Sequence, residues 1–202
     1  MSRPDPNVAI VHADESCLGN GREGRNPGGA ASLVERWVQD SIVRQDLYIS
    51  SPDTTNNRMA LAGAIATFAT LGAEGGPHAV LYVSDSQYLV KGMNEWVPDW
   101  RARGWRRKAG RIENLELWQT LVRTAEPFQI TWRWVRGHAD HPKNEYVNDL
   151  AIHAAETQAT SAAMVPSRFD EWLEDRESRG KFCDYNPDID LADFSAELAR
   201  LE

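Results

Sequence analysis

Val8-Ala9-Ile10-Val11-His12-Ala13 is a short run of β-favouring residues that closes on Asp14. Further along, Ala79-Val80-Leu81-Tyr82-Val83 is a continuous apolar run followed within two residues by Asp85. An unbroken apolar run of this length suits a strand buried on both faces. Between the two, residues 30–38 and 41–50 read as strands joined by a tight turn at Gln39-Asp40. Thr54-Thr55 then offers a helix N-cap. Met59, Leu61, Ile65, Phe68 and Leu71 recur at helical spacing until Gly72 and Gly75-Gly76. Three early strands with short connections predict an antiparallel meander. The order strand, helix, strand predicts a right-handed crossover, so the sheet is mixed and the fold class is α/β.

Beyond Asp85 the pattern predicts a short helix, a Trp/Arg-rich segment, a helix over 115–123, a strand over 129–135 and a helix over 142–157. After Thr157 the periodicity degrades. Phe169, Trp172, Phe182, Tyr185 and Phe194 are scattered among acids, as in a tail that docks on the body or moves freely. The organisation expected is a compact domain over 1–160 and an acidic C-terminal extension over 161–202.

A chain of 202 residues and 22.7 kDa favours one domain with an appendage. Its 42% hydrophobic content suffices for a core, and 26% charge argues against wholesale disorder. No apolar run approaches a membrane span and residues 1–7 do not resemble a signal peptide, so the expected location is cytoplasmic. Cys17 and Cys183 are too far apart in sequence for metal-ligand spacing and too few for a disulfide framework. The net charge of −8 conceals an asymmetry. Residues 165–202 carry −6, whereas residues 96–111 hold six basic residues against one acid. In that segment Trp96, Trp100 and Trp105 alternate with Arg101, Arg103, Arg106, Arg107 and Lys108. Guanidinium groups that displace counterions and indoles that pack on sugars suit a nucleic-acid backbone. The competing reading makes the tryptophans core and the arginines a solvated face.

Asp14 and Asp85 each lie at a strand end, where α/β sheets place ligands. Converging carboxylates there would suit Mg²⁺, which prefers oxygen ligands. Either aspartate alone reads first as a turn residue. Their company is more specific. His12-Ala-Asp-Glu-Ser-Cys-Leu-Gly-Asn20, Thr54-Thr-Asn-Asn-Arg-Met59, Ser84-Asp-Ser-Gln-Tyr88, residues 96–118 and Trp134-Val-Arg-Gly-His-Ala-Asp-His-Pro-Lys-Asn-Glu145 occur in that order. Together these blocks resemble the type 1 ribonuclease H family over residues 8–155.

The resemblance implies a five-stranded mixed sheet, three antiparallel strands then two parallel, flanked by helices. It implies a monomer that hydrolyses the RNA strand of RNA–DNA hybrids with two Mg²⁺ or Mn²⁺ ions. Asp14 and Asp85 match the first and third of the family's four metal-binding carboxylates, and His138 its catalytic histidine. Cys17, Asn20, Asn56, Asn57 and Gln87 match contacts to the hybrid's minor groove, where 2′-hydroxyls mark RNA. Thr55 matches a contact to DNA phosphate. Trp100, Trp105 and Arg106 fall in the segment that resembles the family's basic protrusion.

Three departures stand out. The glutamate expected after Arg58-Met59 is Ala60, and no acid occurs between Thr54 and Ala73. The carboxylate expected before Asp149-Leu150-Ala151 is Asn148, and the small residue expected after Asp14 is Glu15. In the preferred reading the catalytic set is rewired, with Glu15, Asn148 and Asp149 as candidates for the missing ligands. Adjacent strand residues point to opposite faces and adjacent helix residues diverge by about 100°, so the geometry has to be unusual. The rivals are a hybrid-binding module weakened or disarmed at its metals, by nature or by engineering, and an interaction domain whose acidic tail folds over the basic segment.

Overall fold

The computed structural model describes residues 7–19, 25–39, 41–137, 141–198 and 200. Strands β1 (Val8–Cys17), β2 (Gly28–Val38) and β3 (Ser41–Ser51) form the antiparallel meander, and β4 (Ala79–Ser84) and β5 (Gln129–Trp134) add in parallel on the other side of β1. A two-residue strand, β6 (Val165–Pro166), joins the free edge of β3 and makes the sheet six-stranded, in the order β5-β4-β1-β2-β3-β6.

The alternation of β1 divides the core. Val11 and Ala13 face the layer of α1 (Asn56–Ala73) and α4 (Leu115–Ala125), while Val8 and Ile10 face the opposite layer. Helix α1 starts where the Thr55 hydroxyl accepts the Arg58 amide hydrogen, at 3.4 Å. Its Leu61, Phe68 and Leu71 are wholly buried, each side chain contributing about 1.5–3 kcal/mol. On the opposite layer α5 (Pro142–Thr157) packs on β1 and β2. A Cβ on Gly29 would lie 2.2 Å from the Ala151 carbonyl oxygen, so a residue without a side chain lets α5 approach β2 this closely.

The C-terminal segment docks on this second layer. Helix α6 (Phe169–Ser178) buries Phe169 and Leu173 beside Tyr146 and Val147 of α5. Helix α7 (Ile189–Leu198) buries Leu191 and Phe194 against Val8, Ile10 and Leu81. Residues 160–167 close the edge of β3. The Ser161 and Ser167 amides donate to the carbonyls of Tyr48 and Arg44, and the hydroxyls of Ser161 and Thr160 accept from the amides of Tyr48 and Ser50, all at 2.8–3.1 Å.

The tail therefore does not fold over the basic segment. The two lie on opposite layers, because the apolar residues of α7 match the β1/β4 face and Trp96, Trp100 and Trp105 pack with the α1/α4 layer. Trp132 and Trp134 also part company. Trp132 packs on Tyr82 and Phe68, whereas Trp134, at the end of edge strand β5, is 45% exposed. Among the described residues no helix is long and apolar enough to cross a membrane.

Candidate active site

Strand β1 does not stop at Asp14. It continues to Cys17 because β2 pairs with it antiparallel that far, Cys17 opposite Gly28. Its parallel neighbour β4 ends at Ser84, opposite Ala13. Asp14 and Glu15 thus sit where one neighbour has peeled away and the other has not, with Asp85 just past the end of β4. One carboxylate oxygen from each of Asp14, Glu15 and Asp85 lies within 4.8 Å of the others. The Glu15 amide donates to Asp14 Oδ1 at 2.7 Å, which fixes that carboxylate against its own backbone.

Asp85 is held from β5. The Trp134 indole N–H donates to its carbonyl oxygen at 3.0 Å, and a Cβ on Gly137 would lie 2.2 Å from its Oδ2. Burial, then repulsion from Asp85 and Glu15, hold Asp14 well above the ordinary carboxylate range. Burial and Asp85 push Glu15 up to about 8, against a hydrogen bond from Ser86 that lowers it.

These shifts carry a sign. The unfolded chain releases the Glu15 proton near 4.5 and the folded one near 8, so stability is lost as pH rises through that interval. His12 opposes this only in acid: burial, then Lys143, depress its pKa, so its cost appears below the ordinary histidine value of 6.5. Between pH 7 and 9 in EDTA the protein is expected to lose about 1 kcal/mol through Glu15. Glu15→Gln should lose correspondingly less. Urea midpoints at the two pH values check this, and equal losses in both proteins would contradict it.

The remaining candidates have surroundings of their own. Ala60 is a buried methyl in α1, so α1 offers no ligand there. Asn148 is half-buried on α5. Asp149 is engaged elsewhere: its Oδ2 accepts from the Trp172 indole at 3.0 Å and pairs with Arg176 at 2.8 Å, which turns it toward α6. His138 and Asn20 lie outside the described residues. Cys17 is half-buried, its thiol donating to the carbonyls of Thr54 and Asn26 at 3.5 and 3.7 Å. Gln87 is exposed at the start of α2 (Gln87–Lys91), and α3 (Val97–Ala102) follows within the Trp/Arg-rich segment.

Thr55, Asn56, Asn57, Arg58, Glu113 and Asn114 line a cleft of about 480 Å³. It adjoins a larger one of about 790 Å³ bounded by Arg58, Trp105, Arg106, Arg107 and Arg111. Trp96 and Trp100 pack edge-on or tilted against Tyr88 and Trp118 beneath, while the arginines stay exposed. The tryptophans thus anchor the segment to the core and the cations face solvent. Arg58 and Asn114 were not singled out as candidates from the sequence. The αL backbone of Asn114, at φ 54°, and its side-chain hydrogen bond from Arg58 at 3.3 Å put both in the cleft. An asparagine at the N-cap of α4 was the available signal.

A second acidic group, His12, Glu35 and Asp190, also brings ligand atoms within 4.8 Å. Here the Lys143 ammonium lies 2.7 Å from Glu35 and 2.9 Å from Asp190, so the cation is the protein's own.

A mixed sheet in this strand order, with acids gathered where β1 and β4 part, defines the ribonuclease H-fold class. Residues 6–156 match the family described as RNase H, and the chain belongs to that family. It is 39% identical over 153 residues to the ribonuclease H of Methylococcus capsulatus, covering 75% of this chain and 90% of that protein. It is also 39% identical over 143 residues to that of Stutzerimonas stutzeri, covering 70% and 87%. Among solved structures it is similar to LC9-RNase H1, described as a type 1 RNase H with the type 2 active-site motif. That match has 51% identity and a TM-score of 0.76 over 85% of this chain and 82% of the other.

Proposed function

We propose that this protein hydrolyses the RNA strand of RNA–DNA hybrids at a rewired site made of Asp14, Glu15 and Asp85, with Asn148 contributing from α5. The observation that carries the reading is the gathering of three carboxylates within 4.8 Å although the family's glutamate position is Ala60. Buried acids held together at a cost are what a hard divalent cation relieves, so the donor set fits Mg²⁺ or Mn²⁺. Asp14, Glu15 and Asp85 would hold the two ions and Asn148 would offer a neutral amide oxygen. When bound, such ions supply an activated water and charge neutralisation at the leaving 3′ oxygen.

The description of LC9-RNase H1 supports the idea that a type 1 scaffold works with a non-standard acidic set. The chain's own residues do the rest. Glu15 stands beside Asp14 on the continuing strand and takes over the charge that Ala60 lacks. Asp85 is oriented through its backbone by Trp134. Thr55, Arg58 and Asn114 offer a polar cleft for a phosphate of the hybrid, and Arg106, Arg107 and Arg111 extend the positive surface along its backbone.

The test is a labelled RNA–DNA hybrid incubated in Mg²⁺ and in Mn²⁺ with the parent and Glu15→Gln. RNA-strand cleavage by the parent, reduced about 100-fold in Glu15→Gln with hybrid affinity kept, is the expected result. Cleavage unaffected by Glu15→Gln would remove Glu15 from the site. Tight binding without cleavage in either metal would make the protein a hybrid-binding module.

A further inference from the structure

Helix α5 carries Asn148, and it is held in part by residues that lie beyond the family match at 6–156. The first hold is at its start. Lys143, wholly buried in the first turn, reaches Glu35 Oε2 of β2 at 2.7 Å and Asp190 Oδ2 of α7 at 2.9 Å. Just before it, the His141 ring lies 5.2 Å from His12 and 6.4 Å from Tyr185. The second hold is beside Asn148 itself, where Asp149 takes the Trp172 indole and Arg176.

Glu35 cannot serve Lys143 alone. It also pairs with Arg44 at 2.9 Å, so two buried or half-buried cations share one carboxylate, and Asp190 supplies the second negative charge. Arg44 in turn pairs with Asp170 and Asp188 of the same C-terminal segment. We propose that Asp190 is a positioning residue: through Lys143 it holds the first turn of α5, and thereby the placement of Asn148, for cleavage. The inference rests on the reading of Asn148 as a ligand. It assigns the C-terminal segment a part in the chemistry without touching substrate.

The groups that would meet the hybrid belong to the other layer, so the tether acts on turnover and not on affinity. Asp190→Asn keeps the size of the side chain and leaves Leu191 and Phe194 docked, so α7 stays in place while the charge is removed. The experiment compares parent, Asp190→Asn and Asp190→Glu in two ways: kcat and KM for hybrid cleavage in Mg²⁺, and amide hydrogen exchange of residues 141–151 in metal-free protein. Asp190→Asn is expected to lower kcat about tenfold with KM within about twofold, since small misplacements of reacting groups are costly. Exchange in 141–151 should quicken about tenfold while α1 keeps its protection, and Asp190→Glu should recover part of both. Unchanged exchange in α5, unchanged kcat, or exchange that quickens equally throughout the protein would each overturn the tether. Asn148→Ala, run in parallel, separates the two readings. Unaltered cleavage in Asn148→Ala sinks the ligand role and with it the catalytic part of the proposal, whereas unaltered α5 exchange in Asp190→Asn sinks the tether and leaves the ligand role standing.

Discussion

Asp14→Asn is expected to lower the rate of hybrid cleavage by about three orders of magnitude, which corresponds to the several kcal/mol of charge stabilisation that a lost ligand forfeits. Asp14 is the most buried of the three clustered acids, and its Oδ1 is already fixed by the Glu15 amide. An asparagine keeps the shape and one acceptor oxygen but loses the charge. Hybrid affinity should be kept or slightly raised, because one negative charge near a polyanion is gone. The metal-free variant should also unfold at a higher temperature than the parent at pH 8. Burial and two neighbouring carboxylates oppose ionisation of Asp14, and the substitution removes that cost. Cleavage with the parent's rate would show that the chemistry lies elsewhere. Lost cleavage together with a lowered unfolding temperature would mean that Asp14 serves the fold.

Lys143→Met should produce the largest loss of stability of any substitution considered, about 3 kcal/mol. Both Lys143 and Glu35 have side chains with no solvent exposure, and removing the ammonium leaves Glu35 and Asp190 facing each other across a methionine. Arg44 remains on Glu35 and limits the damage. Burial already raises the Glu35 pKa, with Lys143 the chief group lowering it, so the variant's Glu35 keeps its proton to higher pH. The unfolded reference is common to both proteins, so the deficit should widen as pH rises past the parent's own raised Glu35 pKa. Urea unfolding at pH 6 and pH 8.5 measures both the deficit and its direction. A deficit that shrinks with rising pH would contradict the charge account.

The strand and helix order was legible because each element carries its own period: an apolar run for β4, a helical stripe for α1, a capping threonine at position 55. The end of β1 was not. Whether a strand stops at Asp14 depends on how long β2 stays paired, and that is a property of two segments. Glu15 was legible as an oddity beside Asp14. Its nearness to both aspartates depends on β4 ending one residue before Asp85 while β1 continues. The capture of Asp149 was hidden for a different reason: its partners, Trp172 and Arg176, lie in a segment with little helical patterning of its own. Leu191 and Phe194 bury one side of α7, yet that pair is too short a signal against so many acids. Trp134 lies on the same side of β5 as Trp132 by period-two alternation, yet that alternation does not say whether anything covers it there.

The hydrogen bonds along the outer edge of β3 also bear on how the chain is made. Arg44, Tyr48 and Ser50 have their outward backbone groups met by residues 160–167, more than 100 positions later. During synthesis the amino-terminal strands emerge first, and an 11-residue strand with an open flank waits for its cover. A nascent chain stalled before residue 160 would present that flank to any neighbour. The segment that completes the sheet therefore also ends the interval in which the chain can pair with a stranger.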